Sequence, residues 1–157
     1  MITIRSATPD DATALAELRW EFRSAKTPPT EMHDAFVPRC AAWMREELVT
    51  GRWRAWVADD SARIVGQLWL HPMSKIPNPS TELERHAYIS NVYVTPGARG
   101  GVGSRLLQTA IDWASSHDVD RVVLWPTERS RTMYRRFGFT VSGNVLEFMC
   151  GSAPPHR

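Results

Sequence analysis

Ile2 and Ile4 alternate with Thr3 and Arg5, the period of a strand with one buried face. The spacing then turns helical. Thr8 reads as a cap, Pro9 suits the first helical position, and Asp10 and Asp11 favour the positive end of the helix dipole. Ala12, Leu15, Leu18 and Phe22 continue one apolar face until Thr27-Pro28-Pro29-Thr30 ends the helix. A second amphipathic helix carries Phe36, Cys40, Trp43, Met44 and Leu48 and closes at Gly51. Arg52 to Ala58 and Arg63 to His71 are strand-like, joined as a hairpin through Asp59-Asp60-Ser61-Ala62. Pro72 to Arg85, with Pro72, Pro77 and Pro79, reads as a long loop.

Ala87 to Val94 is the next strand, and Gly97 to Gly103 is a glycine-rich turn. Val102, Leu106, Leu107, Ala110, Ile111 and Ala114 then mark the buried stripe of a third helix. Arg121 to Trp125 predicts a short strand, and Ser130 to Phe137 a short fourth helix. Phe139 to Val141 and Val145 to Met149 predict a closing hairpin through Ser142-Gly143-Asn144. The order β-α-α-β-β-β-α-β-α-β-β predicts an α/β fold, with about four helices flanking a mixed sheet of about six to seven strands. No repeat or linker interrupts it. One domain over residues 1–150 is expected, with a frayed tail over 151–157.

Composition narrows the classes. The chain has 157 residues, of which 43% are apolar and 23% charged, enough for a core without staples. The formal charge of +2 is mild, and no basic stripe interleaves with aromatics, so nucleic acid is not an expected partner. No apolar run approaches a membrane span, and the start lacks the pattern of a signal peptide. Cys40 and Cys150 share no metal or redox spacing, and the five histidines show no paired-ligand spacing, so no metal site is expected. A reducing, cytoplasmic setting follows.

Chemistry concentrates in two segments. In Val92 to Leu107 a strand runs through Gly100 and Gly101 directly into a helix. The first amide groups of a helix lack internal partners and carry partial positive charge. The amides near Gly101, Val102, Gly103 and Ser104 therefore predict a phosphate cradle. A tight turn needing glycine for packing explains the same residues. The ending differs from a nucleotide P-loop, and the pattern is not GxGxxG. In the second segment, VVLWPTERS leads into RTMYRRFGF, which places Tyr134 ahead of Gly138 and Phe139. A half-buried packing role is the ordinary reading of an isolated tyrosine.

The two segments together resemble the GNAT superfamily of N-acetyltransferases. Gly101-Val102-Gly103 is similar to the end of its pyrophosphate motif, although the basic or amide position of that motif falls on Ala98 and Arg99 comes one step later. Tyr134, Gly138 and Phe139 match its tyrosine helix, whereas Thr127 and Ser130 stand where Asn and Ala are usual. The resemblance implies acetyl-CoA as cofactor and CoA as product. It implies contacts from Val92, Tyr93, Val94, Arg99, Gly100, Gly101, Val102, Gly103, Ser104, Thr127 and Ser130. It implies Tyr134 as general acid for the departing thiolate, with direct transfer to an amine.

In this family the first two helices often form the acceptor side, so Trp20 and Glu21 are candidate substrate contacts. Glu84 is a third, and Glu84 or His86 is a candidate base; a solvated loop explains both equally. Arg129, Arg131, Arg135 and Arg136 are candidates for the cofactor's 3′-phosphate or for plain helix solvation. The expected partner is a small-molecule or peptide amine, with a homodimer left open. A non-catalytic acyl-CoA-binding module on the same fold is the alternative.

Overall fold

The computed structural model describes residues 1–151. Within them the chain divides into two compact units, the first ending at Val123 and the second beginning at Leu124.

The first unit is built on a five-stranded sheet in the order β1-β2-β3-β4-β5. Its strands are β1 (Thr3–Ser6), β2 (Arg54–Asp59), β3 (Ile64–Ser74), β4 (Arg85–Val94) and β5 (Val119–Val123). The first four pair antiparallel, and β5 joins β4 in parallel through a helical crossover. Helices α1 (Ala12–Ser24) and α2 (His33–Thr50) lie between β1 and β2 in the chain, and α3 (Val102–Ser115) forms the crossover. Ala12, Leu15, Ala16, Val37, Ala41 and Met44 from α1 and α2 pack with Ala55, Val57 and Trp69 of the sheet. Leu106, Leu107, Ala110 and Ala114 of α3 are likewise buried. Gln67, fully buried, ties helix to sheet: its Nε2 donates to Leu15 O at 3.1 Å, and its Oε1 accepts from Trp69 Nε1 at 2.8 Å.

The second unit holds a 3-10 turn at Glu128–Ser130 and α4 (Arg131–Arg136). Phe137 N and Phe139 N both donate to Tyr134 O at 3.1 Å, and Gly138 N donates to Arg135 O at 3.0 Å. Gly138 stands at φ +93°, where only glycine is free of strain. This is the left-handed stop that closes many helices, and the contact of Phe139 with Tyr134 is its usual apolar companion.

The sequence expectations need five corrections. Five strands form among the described residues, not six to seven. The expected closing hairpin is absent: Gly143 and Asn144 make a turn, but the flanking segments do not pair. Val141, Leu146 and Phe148 are exposed, so their alternation has no face to bury. β3 runs through Pro72 to Ser74, shortening the expected loop. The β2–β3 ladder stops at Leu70, so Pro72 lies where β3 has an open edge that tolerates a missing N–H. β5 spans Val119–Val123 rather than 121–125. On α2 the buried residues are Val37, Ala41, Met44 and Glu47, which leaves Trp43 exposed. The expected tail over 152–157 lies outside the described residues.

Candidate active site

β4 changes character along its length. Its parallel pairing with β5 covers Arg85 to Tyr88. Beyond Tyr88 no strand among the described residues pairs with that edge, so it offers backbone groups for an extended ligand. Opposite β3, the register jumps from Gln67↔Tyr93 to Trp69↔Ser90, which is one extra residue in β4. Asn91 carries the bulge at φ +57°, and its Oδ1 accepts from Arg19 Nη1 of α1 at 3.2 Å. A bulge re-aims the strand and disrupts its ladder locally. Val92, Tyr93 and Val94 follow it directly. Gly66 lets the strands stay close there, because a Cβ would sit 3.1 Å from Tyr93 O.

The strand leads through Thr95 and a 3-10 turn at Pro96–Ala98 into the glycine turn. Gly100 and Gly101 stand at φ +122° and +90°, and Gly101 caps α3. Having no side chain, that cap leaves the helix amides uncovered. The first helical bond at this end runs from Arg105 N to Gly101 O at 3.1 Å, so the amides of Val102, Gly103 and Ser104 precede any helical acceptor. Oriented amides at a positive dipole end suit a pyrophosphate without a cationic side chain. Nearby, Thr95 Oγ1 is buried without a hydrogen-bond partner. Arg99 is exposed, and its Nε turns back to Val94 O at 3.4 Å.

Around β4, the Tyr93 hydroxyl donates to Glu21 Oε1 of α1 at 2.7 Å, and its ring stacks on Phe22 with centroids 4.9 Å apart. Burial and this bond push the Tyr93 phenol up to about 12. Trp20 packs away from these residues, edge-on to His33 at 5.3 Å and against Phe36 at 5.7 Å. Glu84 is exposed just before β4, at the opposite end of that strand from Val92–Val94. His86 lies at that same end, where its Nδ1 is 2.9 Å from Asp120 Oδ1. Lys75 Nζ donates to Asp120 Oδ2 at 2.6 Å and holds that carboxyl below its usual range.

In the second unit Tyr134 is buried, its ring 5.6 Å from that of Phe139. Burial pushes its phenol up to about 12, so it stays protonated at neutral pH. Among the described residues its hydroxyl has no hydrogen-bond partner, leaving one O–H to offer. Thr127 and Ser130 form a capping box: Ser130 N donates to Thr127 Oγ1 at 3.3 Å, and Thr127 N to Ser130 Oγ at 3.0 Å. Their hydroxyls also lie 2.9 Å apart. The Thr-x-x-Ser spacing was a readable signal for this cap. Arg131 Nε donates to Glu128 Oε2 at 3.2 Å.

The profile of the acetyltransferase (GNAT) family matches residues 12–139. The chain belongs to the GNAT acetyltransferase family. A predicted acetyltransferase with acetyl-CoA from Clostridium acetobutylicum is 19% identical over 95% of this chain and 96% of its own, with a TM-score of 0.79. A GCN5-related N-acetyltransferase from Ralstonia eutropha JMP134 is 22% identical over 96% of this chain and 100% of its own, with a TM-score of 0.78. A ribosomal-protein-alanine N-acetyltransferase from Brucella melitensis biovar Abortus 2308 is 17% identical over 98% of this chain and 100% of its own, with a TM-score of 0.68. At these identities the likeness speaks for the fold. Comparison with curated proteins gives no match. In this GNAT chain the pair Arg19 and Asn91 has no sequence signal, because the contact joins α1 to β4 across 72 residues.

Proposed function

We propose that this chain is an acetyl-CoA-dependent N-acetyltransferase, residues 1–150 acting as one catalytic domain, that passes the acetyl group directly to an amine. The observation that carries the reading is the uncovered amide cradle of α3, reached from a strand whose edge is open beyond Tyr88. The solved Clostridium relative with acetyl-CoA supports the choice of cofactor. Acetyl-CoA supplies a thioester: a C–N bond forms to the amine, the C–S bond breaks, the amine loses a proton, and the thiolate takes one.

The chain's own residues divide this work. Backbone amides of Gly101, Val102, Gly103 and Ser104 hold the pyrophosphate, with Gly100 giving the turn its reach. The open edge of β4 at Val92, Tyr93 and Val94 pairs with the pantetheine amides and turns one N–H toward the thioester oxygen. Arg99, Thr127 and Ser130 contribute further contacts to the cofactor. Tyr134 gives its hydroxyl proton to the sulfur, a role that suits a phenol with no protein acceptor. Glu21 borders the acceptor, and Trp20, packed against His33 and Phe36, and Glu84, at the far end of β4, are more distant contacts for a large one. Direct transfer fits the cysteines: Cys40 is half-buried and burial pushes its thiol up, which disfavours the nucleophilic thiolate. No helix among the described residues is long and apolar enough to cross a membrane, and we place the activity in the cytoplasm.

Acetyl-CoA is expected to raise the melting temperature. At about 100 times its dissociation constant a ligand stabilises the folded state by about 2.7 kcal/mol. For a chain of this size that corresponds to a shift of about 5–10 °C. Differential scanning fluorimetry with acetyl-CoA, CoA, ATP and NAD checks it. A silent response to millimolar acetyl-CoA and CoA would remove the cofactor from the reading.

A further inference from the structure

Arg19 is a cation set into the face of the sheet with little to neutralise it. It leaves α1 half-buried and reaches Asn91 on the bulge of β4, donating one hydrogen bond at 3.2 Å. A guanidinium has five N–H donors. Among the described residues none of the other four meets an acceptor, and no carboxylate lies within ion-pair distance of Arg19. Burial pulls the guanidinium below the usual arginine range and Arg23 repels it, while Cys40 and Tyr88 offset part of that penalty. Three other arginines of the first unit are neutralised by acids: Arg5 by Asp11 and Asp59, Arg39 by Glu31, and Arg52 by Glu46 and Glu47. The two nearest acids in sequence are engaged elsewhere, Glu17 with His33 Nε2 and Glu21 with the Tyr93 hydroxyl, each at 2.7 Å.

On the proposed reading, Arg19 stands beside the stretch of β4 that the acceptor would approach. Asn91 and Tyr93 flank Val92 on β4, and Tyr88, three residues before Asn91, lies close enough to Arg19 to share its field. Tyr88 also borders Trp53, whose ring stands 6.0 Å away. A half-buried, unpaired guanidinium costs stability unless something restores its partner. Its planar fork matches a carboxylate through two parallel hydrogen bonds. One guanidinium balances one negative charge, which favours a carboxylate over a doubly charged phosphate. Glu21, held two positions along β4 from the Arg19 contact, puts the opposite sign beside it, as a zwitterion requires.

Resting on the acetyltransferase reading, we propose that the acceptor is an amine that itself carries a carboxylate, an amino acid or a close relative, with Arg19 binding the carboxylate and orienting the amine toward β4. Arg19 is thus a specificity residue for the acceptor and takes no part in proton transfer.

The test uses the whole protein with saturating acetyl-CoA and two matched sets of acceptors, the standard L-amino acids and their C-terminal carboxamides. Each pair differs only in the charge that Arg19 would read. For at least one side chain the acid is expected to exceed its amide in kcat/KM by about 100-fold or more, since sites built around a polar group discriminate strongly against its loss. The difference should lie in KM. Arg19→Gln should bring that ratio near one, and Arg19→Lys should restore part of it. If Arg19 only props Asn91, Arg19→Gln would lower both acceptors alike and leave the ratio in place, which overturns the proposal. Amides used as well as acids, or no amino acid acetylated by protein that still shifts its melting temperature with acetyl-CoA, also overturns it. Loss of the acetyl-CoA shift in the wild-type protein would instead remove the reading on which the proposal rests, and the proposal with it.

Discussion

Gly103→Glu is expected to abolish acetyl-CoA binding in a protein that remains folded. Gly103 is the second residue of α3. A glutamate there suits the helix, because it replaces the weak helix former glycine and places a negative charge at the positive dipole end. The free protein should therefore melt at the wild-type temperature or slightly above it. The bound state is another matter. A carboxylate about 4 Å from one phosphate charge costs about 4 kcal/mol at the effective dielectric of a protein surface. That is about three orders of magnitude in affinity for one charge, before steric blocking is counted. Titration calorimetry with CoA, beside a thermal melt, separates the two effects. Equal CoA affinity in folded Gly103→Glu would mean that the glycines serve only the turn.

The second large effect is expected at Tyr134. Tyr134→Phe keeps the ring and its contact with Phe139, and the hydroxyl it removes has no hydrogen-bond partner among the described residues. Stability and acetyl-CoA affinity should change little. What is lost acts where charge develops on sulfur, so the loss belongs to the chemical step. General acids contribute about 10²–10⁴-fold, and a thiolate, being a good leaving group, needs the lower end. A fall of about 10–100-fold in single-turnover acetyl transfer is therefore expected, even where product release masks it in steady state. Burial pushes the Tyr134 phenol up to about 12, so its proton is present throughout the neutral range. The ratio of wild type to Tyr134→Phe should stay flat from pH 6 to 10 and fall only as the phenol ionises above that. Equal transfer rates at every pH would make Tyr134 a packing residue.

The order of elements was legible because each carried its own period. α3 announces itself by Leu106, Leu107, Ala110 and Ala114, all of them buried as that stripe requires. The glycine turn was legible for a similar reason: Gly100 and Gly101 occupy left-handed positions that other residues adopt only with strain. What the sequence hid is tertiary. Trp43 reads as core on α2 by size, yet the packed face is rotated so that Glu47 goes inward, bonded to Arg52. The alternation from Val145 to Met149 reads as a strand, but a strand exists only through its partner, and none pairs with it among the described residues. The bulge at Asn91 has no local glycine to mark it; it is fixed from α1 by Arg19, across 72 residues of chain. Thr127 and Ser130 were read toward a cofactor, while their spacing also encodes the cap that starts the tyrosine helix.

The central claim is that acetyl leaves CoA and arrives on an amine without stopping on the protein. The most direct measurement mixes the protein with isotope-labelled acetyl-CoA and a panel of amines, then follows protein and small molecules by mass spectrometry within one turnover. The account predicts labelled acetyl on an amine nitrogen in step with free thiol, and no acetylated protein at any time. Labelled acetyl on the chain before it reaches an amine, or bound acetyl-CoA that acetylates nothing in the panel, would contradict it.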